Sequence, residues 1–129
     1  MIDGGLRRIF HTRLPHIHWQ AMETGMTGGG VPDSNGCYDR KEFWVEYKKT
    51  NGWTVPLRPA QIGWHLRRQR AGGRTFIAVR RKDAELWLFN GGHAKLLKIQ
   101  GLKGSTPLGH WNGGPERWDW EKIEWWLIS

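Results

Sequence analysis

The sequence predicts a mixed α/β (α+β) architecture, a mixed sheet of four or five strands flanked by helices. Three observations predict it. Strand-like and helix-like stretches alternate along the 129 residues. Phe76-Ile77-Ala78-Val79 is continuously apolar, as a central strand covered on both faces would be. An earlier strand with alternating side chains is separated from it by a helix signal that opens on Pro59.

Taken in order, residues 6–13 read as a short basic helix ended before Pro15. Ile17, Trp19 and Ala21 alternate in a strand over 17–22. Residues 24–30 hold four glycines and read as a flexible turn. Residues 31–33 start a second strand, which the polar loop 34–41 interrupts. The strand over 42–49 places Trp44, Glu46 and Lys48 on one face and Phe43, Val45 and Tyr47 on the other, to be buried. Gly52 and Pro56 make 50–58 irregular.

The helix from Pro59 runs to residue 71 and stops at Gly72-Gly73. Ile62 and Leu66 trace the side expected to pack on the sheet, and Gln61, His65 and Arg68 share another. Residues 75–81 and 85–90 pair around the Lys82-Asp83 turn. Residues 93–99 fit helix or strand equally, 101–114 read as loop, and Pro115 opens a last helix through residue 127. The tryptophan-rich tail has three readings: core packing, an exposed dimerisation patch, or stacking on splayed bases. One domain, 1–129, accounts for the length.

A net charge of +8 and a pI near 10.2 point to a polyanionic partner, with nucleic acid the commonest. Hydrophobic content is only 38%, but the ten tryptophans within it bury a large area per residue. One cysteine, Cys37, rules out an internal disulfide and favours a reducing interior. No apolar run approaches the roughly 18 residues that span a bilayer, and no secretory pattern opens the chain, so no membrane role is expected. Six histidines invite a zinc reading, but neither Cys-x-x-Cys nor His-Glu-x-x-His spacing occurs.

The most informative stretch is Gly-Gly-Gly-Val-Pro-Asp, ending at Asp33, followed by the strand that carries Glu46 and Lys48. Two carboxylates and an ammonium on one patch suit a divalent cation with a lysine beside it. Phosphodiester cleavage needs such a site, because a metal activates water and neutralises charge on the phosphate. Pro-Asp followed by Glu-x-Lys at this distance arises by chance in roughly one or two chains per hundred of this length. The weight therefore rests on context: the glycines before the acid, the strand beneath Glu-x-Lys and the basic helix after it.

Gly30-Val31-Pro32-Asp33, Trp44-Val45-Glu46-Tyr47-Lys48, 57–65 (Leu-Arg-Pro-Ala-Gln-Ile-Gly-Trp-His) and Ala71-Gly72-Gly73-Arg74-Thr75-Phe76 carry a family likeness. The stretch from Trp19 to Arg80, about half the chain, resembles the PD-(D/E)XK nuclease superfamily. Within it the likeness is to the small phage and bacterial VRR-NUC proteins, relatives of archaeal-type Holliday junction resolvases. The resemblance implies a restriction-endonuclease-like core, catalytic Asp33, Glu46, Lys48 and Gln61, and Mg²⁺ or Mn²⁺ held by Asp33, Glu46 and the Tyr47 carbonyl. The family usually carries a further acid on its first helix; Asp3 and Glu23 are the two candidates here. The resemblance also implies a homodimer in the cytoplasm of a bacterial or phage-infected cell.

For DNA contact the candidates are Lys49, Arg58, His65, Arg67, Arg68, Arg70, Arg80 and Arg81, with a surface histidine as the other reading of His65. The Gly28-Gly29-Gly30 run reads either as close backbone approach that gives DNA room or as a plain turn. The expected function is a metal-dependent, structure-selective endonuclease on branched DNA such as four-way junctions. The alternatives are a nicking or restriction-type endonuclease, or a nucleic-acid-binding module without catalysis.

Overall fold

The computed structural model describes residues 2–23 and 29–129. The elements run α1 (Leu6–Arg13), β1 (His18–Ala21), β2 (Ser34–Tyr38), β3 (Lys41–Thr50), α2 (Pro59–Arg70), β4 (Thr75–Arg81), β5 (Glu85–Asn90), α3 (Ala94–Gln100), β6 (Gly109–Trp111) and α4 (Trp120–Ile128). A 3₁₀ turn, Gly91–His93, leads into α3. The strands form one sheet in chain order. β3 and β4 pair parallel and the other neighbours antiparallel. A parallel pair needs a long connection, which is the path that α2 takes. The class is the expected mixed α+β one, with six strands in place of four or five.

Alternation along the central strands divides the apolar side chains between two cores. Phe43, Val45, Tyr47, Phe76 and Ala78 meet Leu6 and Phe10 of α1 and Ile123 and Leu127 of α4 on one face. Ile77, Val79 and Phe89 meet Val55, Leu57, Ala94, Leu97 and Leu102 on the other. Each fully buried Phe or Leu contributes about 1.5–3 kcal/mol. Glu46 and Lys48 stand on the second face, under α2.

Four expectations are corrected. Residues 31–33, read as the start of the second strand, lie before it, and residues 34–38, read as a polar loop, are β2: paired on both sides by β1 and β3, they gain ladder bonds that their composition does not advertise. Gly36 belongs there because a Cβ would fall 2.4 Å from the Phe43 ring. Residues 109–111, read as loop, form the short edge strand β6 against β5.

The third correction concerns α2, whose buried residues are Gln61 and His65, while Ile62 and Leu66 are only half-buried. The sheet beneath α2 is polar at Glu46 and Thr75, so polar side chains turn inward. Ile62 packs sideways onto the second core.

The ambiguous stretch 93–99 is helical. A fourth correction concerns the last helix, which starts at Trp120 and not Pro115: the capping side chain is Asp119, whose Oδ1 accepts from the Lys122 N–H at 3.1 Å. Its other end is held by Arg74, which donates to the carbonyls of Trp126, Leu127 and Ser129. Trp118 is buried, Trp120 and Trp126 are partly so, and Trp125 is half exposed. Among the described residues no helix is long and apolar enough to cross a membrane.

Candidate active site

β3 outruns β2. Ser34, the first residue of β2, lies opposite Val45, and β3 continues to Thr50. Asp33 occupies the next place with its side chain: the Tyr47 N–H donates to Asp33 Oδ2 at 2.9 Å. In a strand the N–H and C=O of one residue project to the same edge, so the Tyr47 carbonyl also projects towards Asp33. The Tyr47 ring goes to the opposite face, where its hydroxyl donates to Ser34 Oγ at 3.0 Å. Ser34 Oγ is 2.8 Å from His11 Nε2, and burial followed by Arg7 lowers the His11 pKa, which suits a neutral acceptor there. This chain of contacts fixes the start of β2 and therefore Asp33.

Glu46 is buried, with 1% of its surface exposed. Its Oε2 accepts from Gln61 Nε2 at 3.2 Å and lies 3.9 Å from Lys48 Nζ. Its Oε1 is buried with no hydrogen-bond partner among the described residues. Burial, then the neighbouring Asp33 carboxylate, push the Glu46 pKa up to about 9. Burial also holds the Lys48 ammonium below its ordinary value, against the pull of Glu46 and Asp33.

Gln61 is aimed by the start of α2. Pro59 opens the helix without needing an N–H partner, and Gln61 Oε1 accepts from the Arg58 N–H at 2.9 Å. That bond turns the amide nitrogen towards Glu46. The chain before Asp33 rests on the same turn: Gly30 has φ +81°, and a Cβ there would fall 2.1 Å from the Ala60 carbonyl oxygen. Gly28 lies outside the described residues, so of the triple-glycine run only Gly29 and Gly30 are placed.

These groups open on a cleft of about 580 Å³. Asp33, Glu46, Tyr47, Lys48, Arg58 and Gln61 line one side, and Asp3, Arg7 and Arg8 at the start of α1 line the other. Of the two upstream acids, Asp3 reaches the cleft. Its carboxylate accepts from the backbone N–H groups of Gly5 at 2.8 Å and Arg7 at 3.3 Å. Glu23 is exposed after β1 and does not line the cleft. Among the described residues no group of three or more His, Cys, Asp or Glu is close enough to share a metal.

The donor set is thus two carboxylates with a strand carbonyl beside them. That suits Mg²⁺, which keeps several waters and takes one or two carboxylates together with substrate phosphate. The buried Oε1 of Glu46 beside the Asp33 carboxylate is the observation that fits a cation best, since an ion there would take the place of the proton that Glu46 otherwise keeps.

One of the expected DNA contacts is corrected, and two others are already engaged within the fold. His65 is fully buried, with neither ring nitrogen hydrogen-bonded among the described residues, and burial pushes its pKa down to about 4. Arg80 donates to the carbonyls of Gly4 and Asp83. Arg81 donates to Glu85 and Gly52 and stacks 3.7 Å from the Trp53 ring centroid. Both arginines serve the fold.

Lys49 pairs with the exposed Asp83 at 2.7 Å. Arg58, Arg67, Arg68 and Arg70 are exposed. Arg7 and Arg8 were missed; the signal was the basic pair between Leu6 and Phe10, whose i, i+4 burial turns the intervening cations outward.

No protein-family model matches the chain, and no curated protein matches it by sequence. Among solved structures it is similar to Hjc, a Holliday junction resolvase from the archaeal hyperthermophile Archaeoglobus fulgidus. The identity is 13% and the TM-score 0.49, over 66% of this chain and 72% of that one.

Proposed function

We propose that the protein is a metal-dependent DNA endonuclease of the PD-(D/E)XK kind, on a restriction-endonuclease-like core, acting on branched DNA such as four-way junctions. The observation that carries this reading is the buried Glu46 carboxyl beside Asp33, its Oε1 without a hydrogen-bond donor among the described residues, in a cleft lined by Arg7, Arg8, Lys48 and Arg58. A pure binding module has no use for two inward acids that repel phosphate. Asp33, Glu46 and the Tyr47 carbonyl would hold Mg²⁺ or Mn²⁺, and Asp3 stands at the cleft wall. Bound there, the cation supplies Lewis-acid activation of water and offsets phosphate charge.

The chain's own groups do the rest. Lys48, held at the cleft by its strand, orients the attacking water and donates to the phosphate oxygen on which charge grows. Gln61 fixes the Glu46 carboxylate and adds no charge of its own. Arg7, Arg8 and Arg58 receive the flanking phosphates. Selection by DNA shape fits contacts made through phosphates, as the arginines of the cleft would make them. A two-fold homodimer would present two such clefts to the two strands of a junction.

The test compares a four-way junction, a flap and a linear duplex as substrates with Mg²⁺, Mn²⁺ or EDTA. Cleavage of the branched substrates with either metal and none in EDTA is expected. Binding of all three without cleavage under any metal would overturn the nuclease reading in favour of a binding module.

A further inference from the structure

Arg68 lies seven residues after Gln61 on α2, about 10 Å along the helix axis. Its guanidinium carbon is 4.6 Å from the Trp64 ring centroid and 5.5 Å from that of Trp44. The two indoles are 5.3 Å apart and inclined at 64°, a corner that receives one flat cation. The spacing explains the meeting. Trp64 and Arg68 are i, i+4 on the helix, and Trp44 shares a strand face with Glu46 and Lys48.

The stem is held as well as the head: a Cβ at Gly73 would fall 2.5 Å from Arg68 Cδ and 2.6 Å from Cγ. The glycine leaves the room in which the stem lies.

What sets Arg68 apart is that its side-chain donors are unspent among the described residues. Arg74, Arg80 and Arg81 are also near aromatic rings, but each gives its N–H groups to carbonyls or to Glu85. Among the described residues no carboxylate pairs with Arg68, and α2 carries no acid at all. Stacking occupies the face of a guanidinium and leaves the in-plane N–H fork free, which matches two oxygens of a phosphate. An exposed arginine normally loses rotamer freedom on binding; here the rings and Gly73 have removed it beforehand.

We propose that Arg68 is a preorganised fork for one backbone phosphate of the bound nucleic acid, with Trp44 and Trp64 as the residues that hold it in place. This deepens, and rests on, the nucleic-acid reading of the cleft. The fork is carried by the same helix as Gln61, and Trp44 ties it to the strand that carries Glu46.

The experiment measures binding of a fluorescein-labelled four-way junction in EDTA, from about 50 to about 200 mM salt. Arg68→Ala and Arg68→Lys should each lose about five- to tenfold in affinity, because a point charge does not replace the fork. The slope of log affinity against log salt should fall by about one in Arg68→Ala and stay unchanged in Arg68→Lys. Trp64→Leu should behave like Arg68→Lys, losing affinity with the slope kept. Wild-type affinity in Arg68→Lys, or an unchanged slope in Arg68→Ala, would overturn the proposal.

The two readings fail separately. A wild-type protein that shows these binding results but cuts nothing with metal sinks the nuclease assignment and leaves the fork. A wild type that cuts, while both Arg68 variants bind as tightly as it does, sinks the fork alone.

Discussion

The Tyr47 N–H donates to the Asp33 carboxylate at 2.9 Å, taking a side chain where the sheet would otherwise supply another strand. The start of β2 thereby becomes a place where an acid stands level with Glu46. Asp33→Asn keeps an acceptor for that N–H and removes the charge. The fold should hold while cleavage falls by about a hundredfold or more, with DNA binding kept or tightened. Asp33→Ala should in addition lose about 1–3 kcal/mol, because the N–H is left without a partner. Single-turnover cleavage beside urea unfolding separates the two effects; an Asp33→Asn protein that cuts at the wild-type rate contradicts the assignment.

Glu46 makes the metal-free protein sensitive to base. Its pKa is near 9 in the folded chain, against an ordinary value of 4.5. The folded state therefore keeps a proton that the unfolded chain has released. Stability is full below about pH 4.5 and declines as pH rises towards 9. Glu46→Gln should flatten that decline and exceed the parent by about 1–3 kcal/mol at pH 8 without metal. Adding Mn²⁺ should reverse the order, because the ion stabilises the parent and displaces the proton. Unfolding curves at pH 6, 7 and 8 measure this, and identical pH dependence in both proteins would count against it.

His65 gives the opposite limb. With its pKa pushed down to about 4 from 6.5, its neutral form is the folded one. Stability is present above about pH 6.5 and is lost as pH falls towards 4, because the unfolded chain takes up a proton that the buried ring refuses. His65→Leu breaks no hydrogen bond, so at pH 7 it should stay within about 1 kcal/mol of the parent or exceed it. Its acid limb should be shallower. A loss above about 2 kcal/mol at pH 7 would show that the ring has a partner after all.

Gly30 seats the Asp33 loop on α2. Its φ of +81° and the 2.1 Å approach to the Ala60 carbonyl leave no room for a side chain. Gly30→Ala should cost roughly 2–4 kcal/mol and weaken cation binding. Gly29→Ala is the control, since a Cβ there meets nothing within 4 Å, and it should lie within about 0.5 kcal/mol of the parent. Thermal midpoints and Mn²⁺ titration of the two variants decide the point; equal behaviour would remove Gly30 from the account.

Local chemistry made some elements legible. The bounds of α1, β4 and β5 follow from proline, glycine and apolar runs, and the structure places them at the expected residues. β2 and β6 were not legible, because their strand character comes from neighbours in space; Gly36 reads as a turn former yet makes room for Phe43. The inward face of α2 was misjudged for a related reason. Helical spacing groups Gln61 with His65, but only the polar sheet beneath decides that this group is the buried one. Asp33, Glu46, Lys48 and Gln61 were legible as a group, whereas the part of Arg7 and Arg8 depends on where α1 lies across the cleft. Arg80 and Arg81 look like free cations until their carbonyl partners are seen.

The most direct measurement is the anomalous difference map of a crystal soaked in Mn²⁺. The account predicts a single strong peak within bonding distance of Glu46 Oε1, an Asp33 oxygen and the Tyr47 carbonyl, and its loss in Asp33→Asn. A map with no peak there, while Mn²⁺ is seen elsewhere in the same crystal, would contradict it.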